Sequence, residues 1–296
     1  MKQLQFRGTG VALVTPFKKD KIDFDALERI IEHTLKGKVE YLVSLGTTGE
    51  AVTLSSKECR EIFDFTIKVV NNRVPIVAGM FGGNDTKVLA RKIRNYNFDG
   101  LAAILSSSPH YSKPTQEGVF QHYMHIAKAS PLPVIIYNVP GRTSCNVSAE
   151  TTLRLANASD KFIAVKEASG NLVQAMHILK NKPKDFMVLS GDDPTALPLI
   201  ACGGEGVISV IGNAYPRIFS DMIRAALKGK FKKAKSLNDK LLDIHDCLYV
   251  DGNPVGIKAA LEILGFCQHD VRLPLTPMKK ANYKQLKKQI ERIGKH

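Results

Sequence analysis

Phe162-Ile163-Ala164-Val165-Lys166-Glu167-Ala168-Ser169-Gly170-Asn171 turns from apolar to polar at a lysine, and a helical pattern over Asn171–Leu179 follows at once. A short apolar run without strict alternation is how a strand buried on both faces reads. Strand, polar turn and helix together make one βα unit. The same unit recurs on either side. Strand-type runs are expected at Gly10–Val14, Tyr41–Leu45, Pro75–Ala78, Leu101–Leu105, Val134–Tyr137, Phe162–Lys166, Met187–Ser190 and Val207–Val210. Helices are expected between and after them, at Asp23–Leu35, Ser56–Val70, Asn84–Tyr96, Gln116–Ala129, Ser148–Ala156, Asn171–Leu179, Pro194–Ala201 and Pro216–Leu227. Several open on an N-cap residue type or an early proline. Eight such units predict an α/β fold, a (β/α)₈ TIM barrel over residues 1–228. A doubly wound open sheet would carry a G-x-G-x-x-G fingerprint after its first strand, and Thr15-Pro16-Phe17 stands there instead. Residues 229–296 lack strand signals. Helical patterns at Phe231–Leu248, Pro254–Leu264 and Lys279–Ile293 predict a C-terminal helical segment.

Composition narrows the class. With 44% hydrophobic and 24% charged residues, the chain has the balance of a soluble globular protein with a large core. Its longest apolar runs are too short to span a bilayer, and Met1–Gly8 has no apolar stretch of the secretory type. Cys59, Cys145, Cys202, Cys247 and Cys267 are scattered and form no C-x-x-C, which points to a reducing, cytoplasmic setting and away from structural zinc. The net charge of +14 is concentrated late, at residues such as Lys232, Lys233, Lys287 and Lys288. No nucleic-acid motif or interleaved aromatics accompany it. Solvated helix faces explain the excess, and the field would favour anionic substrates.

The chain becomes polar where each strand ends, and in a (β/α)₈ barrel those ends share one rim. Lys166 has two readings. It could face the barrel interior, where desolvation favours the free amine needed to form an imine with a ketone. It could instead end its strand and reach solvent, paired with Glu167. Alternation places Phe162, Ala164 and Lys166 on one face. Gly46-Thr47-Thr48-Gly49-Glu50, between a strand and a helix, suits a carboxylate or phosphate, or is a plain turn. Its spacing is not that of a P-loop. Tyr137 suits proton transfer and Arg142 bidentate carboxylate binding, yet either residue alone is often structural. Asp192-Asp193-Pro194 reads as an N-cap followed by proline at N1 rather than as a metal pair. His122 and His125 are expected at a helix surface, lacking a third metal ligand. No G-x-S-x-G elbow supports a serine triad.

These motifs, Gly46–Glu50, Tyr137-Asn138-Val139-Pro140-Gly141-Arg142-Thr143, Lys166–Asn171 and Ser190-Gly191-Asp192-Asp193, resemble the dihydrodipicolinate synthase family of pyruvate-dependent class I aldolases, from about Gly8 to Pro277. The resemblance implies a lyase of diaminopimelate and lysine biosynthesis. Lys166 would form a Schiff base with pyruvate, and Tyr137 would move protons at the imine. Thr47 would link Tyr137 to Tyr111, the latter reaching in from a neighbouring subunit of a homotetramer. Thr48 would hold the pyruvate carboxylate and Arg142 that of aspartate semialdehyde. Gly191 and Ile208 would line the site through backbone groups. No metal or organic cofactor is implied, and no nucleic-acid or membrane partner. N-acetylneuraminate lyase and keto-deoxy sugar acid aldolases are the sister alternatives. A non-catalytic basic binding protein on the same scaffold is the alternative of a different class. One departure stands out. Lysine-inhibited members carry Ser, two His, Asn, Glu and Tyr where this chain has Ala51, Ser56, Cys59, Asn84, Val88 and His110. Weak inhibition by lysine, or none, is expected.

Overall fold

The computed structural model describes residues 4–294. The first three residues of the Met1–Gly8 segment and the last two of the C-terminal segment lie outside them. Eight parallel strands close into a barrel: β1 (Gly8–Ala12), β4 (Tyr41–Ser44), β5 (Ile76–Ala78), β6 (Ala103–Ser107), β7 (Val134–Asn138), β8 (Phe162–Glu167), β9 (Met187–Ser190) and β10 (Gly206–Ser209). Each pairs with its neighbour in sequence, and β10 returns to β1 with Gly10 opposite Ile208. The outer ring comprises α1 (Phe24–Lys36), α2 (Ser56–Val70), α3 (Thr86–Asn95), α4 (Gln116–Ala129), α6 (Ala149–Ala158), α7 (Leu172–Asn181), α8 (Ala196–Ala201) and α9 (Pro216–Leu227). A short helix, α5 (Pro140–Thr143), lies between β7 and α6.

Two apolar layers follow from strand alternation. Val43, Val77, Leu105, Ile135, Ala164, Leu189 and Ile208 fill the barrel interior. Leu42, Ile104, Ile136, Val165 and Val188 pack outward against the helices. Side-chain caps on Asp23, Ser55, Asp85, Thr115, Ser148 and Asn171 set six helix starts. Each accepts from an otherwise unpaired backbone N–H in the first turn.

Several expectations are corrected. β1 begins at Gly8 rather than Gly10 and ends at Ala12, because the Val14 N–H leaves the ladder for Asn213 Oδ1 at 3.2 Å. A hairpin of β2 (Phe17–Lys18) and β3 (Lys21–Ile22) was not anticipated; Lys19 and Asp20 turn it with positive φ. The α3 cap is Asp85 rather than Asn84. The helix expected over Phe231–Leu248 is broken at Lys240-Leu241 into α10 (Phe231–Asp239) and α11 (Leu242–Tyr249). α12 (Val255–Ile263) and α13 (Lys280–Ile293) complete the chain. Lys232, Lys233, Lys287 and Lys288 are exposed, as solvated helix faces require. Among the described residues, no helix is long and apolar enough to cross a membrane.

Candidate active site at the barrel rim

Tyr137 and Lys166 sit opposite one another on β7 and β8. Both face inward, but not by simple alternation. The register slips between Val134 and Ile135, so Val134 pairs with Phe162 while Ile135 pairs with Ala164. Ile163 is the extra residue of a β-bulge. Phe162 therefore packs outward against Tyr123, with ring centroids 6.2 Å apart, and does not share the face of Ala164 and Lys166. Lys166 is only 5% exposed, and its Nζ stands 4.3 Å from the Tyr137 ring centroid.

Glu167 is not the partner of Lys166. Adjacent strand residues face opposite sides, and Glu167 accepts from Asn138 Nδ2 at 3.0 Å, Gln174 Nε2 at 3.0 Å and Ser169 N at 2.7 Å. The lysine reaches the cavity past Gly191. A Cβ at that position would lie 2.5 Å from Ala168 Cβ and 3.1 Å from Lys166 Cε, so the space is open only to glycine.

A cavity of about 340 Å³ opens here, lined by Thr47, Thr48, Tyr137, Arg142, Lys166 and Gly191. Ile208 is buried in the apolar interior and does not itself line this cavity, whereas Val210, just past the end of its strand, does. The Gly46–Glu50 loop does not lead directly into α2, as expected; a 3₁₀ turn at Ala51–Thr53 intervenes, and Ser55 and Glu58 cap the helix themselves. The loop folds on its own bonds, Gly49 N to Gly46 O and Glu50 N to Thr47 O, both 3.1 Å. The amides of Thr47 and Thr48 have no protein acceptor among the described residues. Tyr111 is not brought to this cavity within the chain. It is 90% exposed at positive φ, its N–H bonded to Thr143 O.

Four contributors, Tyr249, Asn253, Lys258 and Arg272, were not legible as such. Tyr249, the last residue of α11, and Asn253, from the link between α11 and α12, line the same cavity. Asn253 Nδ2 donates to Thr48 Oγ1 at 3.1 Å, and the Asn253 carbonyl accepts from Arg142 Nη2 at 3.3 Å. Glu50 anchors the loop by pairing with the fully buried Lys258 of α12 and by accepting from Arg272 N at 3.1 Å. The available signal was the Asp251-Gly252-Asn253-Pro254 break between two helical patterns.

Asp193 does not cap α8, which starts at Ala196 without a side-chain cap. It turns inward, and its Oδ2 accepts from Val210 N at 3.0 Å and Ile211 N at 2.8 Å. Burial pushes the Asp193 carboxyl up and the nearby His245 imidazole down, each toward its neutral form. Burial also raises the Tyr249 phenol, and the carboxylates of Asp193 and Asp192 add to the effect. His122 corrects another expectation. It is buried, with Nδ1 2.7 Å from Thr86 Oγ1, while His125 stays exposed. Burial lowers the His122 pKa to about 4. Among the described residues, no three His, Cys, Asp or Glu side chains are grouped to hold a metal ion.

A second cavity of about 250 Å³ shares Thr47 and Tyr137 with the first and is lined by Ala51, Ser56, Cys59 and His110. Asn84 Oδ1 accepts from the His110 N–H at 2.8 Å, and Val88 is exposed. Four of the five departing positions, all but Val88, thus gather beside the rim, and Asn84 keeps the family's residue.

A closed parallel barrel with a buried rim lysine facing a tyrosine is the architecture of a lysine-dependent aldolase. Comparison with known proteins narrows it. The Dihydrodipicolinate synthetase family profile matches residues 5–293. The chain is 46% identical over 295 residues to the 4-hydroxy-tetrahydrodipicolinate synthase of Parabacteroides distasonis, covering 99% of each chain. It is 50% identical over 271 residues to that of Flavobacterium psychrophilum, covering 91% of this chain and 92% of the relative. The crystal structure of dihydrodipicolinate synthase from Thermotoga maritima superposes with a TM-score of 0.96 at 34% identity, covering 99% of this chain and 100% of the other. The chain belongs to the dihydrodipicolinate synthetase family.

Proposed function

We propose that this protein is a 4-hydroxy-tetrahydrodipicolinate synthase, a lyase that condenses pyruvate with L-aspartate 4-semialdehyde. The observation that carries the reading is the buried Lys166 ammonium, 4.3 Å from the Tyr137 ring, in a cavity that Thr48 and Arg142 also line. The neutral amine attacks the pyruvate ketone, and the carbinolamine loses water to form an imine. Tyr137, opposite on β7, carries protons to and from these atoms. Loss of a methyl proton gives an enamine, whose carbon attacks the aldehyde. The amine of the second substrate then displaces Lys166 from the imine carbon, closing the ring and freeing the enzyme. The imine is itself the electron sink, so the scheme calls for no separate cofactor.

Thr48 and the free loop amides suit the pyruvate carboxylate. Arg142, a single guanidinium at the cavity, suits a short aldehyde acid better than a polyhydroxylated sugar acid, which would want several hydroxyl partners. Gly191 admits the lysine, and the Ile208 strand closes the floor. Thr47 and a neighbouring subunit's Tyr111 complete a proton relay in a homotetramer, which accounts for a tyrosine exposed at the rim. A cytoplasmic biosynthetic setting fits the unpaired cysteines. Without an acidic residue at Val88 to receive an α-ammonium, lysine inhibits weakly; inhibition at sub-millimolar lysine contradicts this.

Borohydride reduction with pyruvate is expected to leave a covalent adduct on Lys166, read by peptide mass spectrometry. An unmodified Lys166 sinks the Schiff-base reading and revives the binding-protein alternative. A coupled assay with aspartate semialdehyde then separates the synthase from its sister aldolases.

A further inference from the structure

We propose that Asn253 is a positioning residue that orients the Thr48 hydroxyl toward the pyruvate carboxylate. The inference rests on the reading of Thr48 given above and extends it to a residue of the C-terminal segment. Thr48 Oγ1 has one proton to give and two lone pairs to accept with. Asn253 Nδ2 donates to it at 3.1 Å, in a buried setting. A hydroxyl that accepts there is left to donate its proton elsewhere, and Thr48 makes no other side-chain hydrogen bond among the described residues. The open direction is the cavity that Thr48 lines. A hydroxyl held as a donor before substrate arrives avoids the cost of reorienting it on binding.

Asn253 acts on the second substrate's side differently. There its backbone carbonyl accepts from Arg142 Nη2 at 3.3 Å. Side-chain substitution leaves that carbonyl in place. The residue's two contacts can therefore be separated by mutation, and the side chain is expected to affect pyruvate alone.

The test is pyruvate binding read by borohydride trapping on the full-length enzyme, without the second substrate. The pyruvate concentration that half-saturates adduct formation is compared among variants. Loss of one oriented hydrogen bond to a charged group predicts a rise of about tenfold for Asn253→Ala. Asn253→Asp presents an acceptor to Thr48 and turns its hydroxyl away from the cavity, so its effect is expected to exceed that of alanine. A packing role predicts the reverse order, because aspartate fills the same volume. In a Thr48→Val background the Asn253→Ala change is expected to add less than about twofold, the signature of residues acting as one unit. The aspartate semialdehyde KM is expected to stay within about twofold throughout. If Asn253→Ala loses the fold, as judged by its thermal melt, Asn253→Asp carries the same test. Independent, multiplicative effects of the two substitutions overturn the proposal, as does an unchanged half-saturation in Asn253→Asp. Should Thr48→Val itself leave pyruvate half-saturation unchanged, the assignment of Thr48 fails first and takes this inference with it. Absence of any adduct on Lys166 overturns the function reading instead.

Discussion

Among the described residues two lysines are buried, and their surroundings differ in kind. Lys258 is wholly buried and every direction around it is answered. It pairs with Glu50, donates to the Asp270 carbonyl at 2.8 Å and rests 4.1 Å from the Phe17 ring centroid. Burial lowers its pKa and the Glu50 carboxylate resists that shift. Lys166 is nearly as buried, yet no carboxylate lies within ion-pairing reach among the described residues; it faces a tyrosine ring and a cavity. A buried charge with partners holds structure together, whereas one without them is available to a ligand. The two sites also meet: Glu50 belongs to the same loop as Thr48, so the structural lysine secures the loop that serves the other.

The contrast predicts opposite phenotypes. The largest effect is expected for Lys166→Ala, which removes the proposed covalent nucleophile. Synthase activity falls by at least about 10³-fold, with the thermal midpoint little changed. A variant that kept activity would erase the distinction between the lysines. Glu50→Gln leaves Lys258 buried without its counter-charge, a loss of about 3–5 kcal/mol in urea unfolding. Adding Lys258→Met to it is expected to recover much of that stability. Arg142→Lys sharpens the comparison on the substrate side. A point charge replaces a planar fork, so the aspartate semialdehyde KM rises about tenfold or more, while pyruvate trapping on Lys166 continues. The smallest effect concerns a third buried base. Burial lowers the folded pKa of His122 from 6.5 to about 4, so the unfolded chain takes up its proton first as pH falls. The stability it carries is complete above about pH 6.5 and is lost toward pH 4. His122→Gln is expected to flatten that part of a pH series of unfolding curves.

The rim was readable because barrel topology turns sequence periodicity into proximity. Once eight units are counted, the ends of β4, β7, β8 and β9 must converge, and Thr48, Tyr137, Arg142, Lys166 and Gly191 arrive together. The register was not readable. The bulge at Ile163 is a property of pairing between β7 and β8, and it overrides the alternation that placed Phe162 beside Lys166. His122 was misplaced because helical spacing alone cannot say which face meets the neighbouring helix; the contact to Thr86 on α3 decided it. Asp193 was misread because an Asp-Pro pair signals a cap locally, while its true partners, Val210 and Ile211, lie in the turn just after β10.

By itself the sequence determined the closed barrel and the convergence of Lys166, Tyr137 and Arg142 at one rim. These follow from local patterns repeated along the chain, because alternating βα units have few ways to close. Only the tertiary structure decided what holds those groups. Asn253 reaches Thr48 and Lys258 pins Glu50, each across more than 200 residues of chain, and Asn253 meets Arg142 across 111. Such contacts have no local signature. Each is a hydrogen bond or ion pair between groups that the barrel and the C-terminal helices bring together only once both have folded.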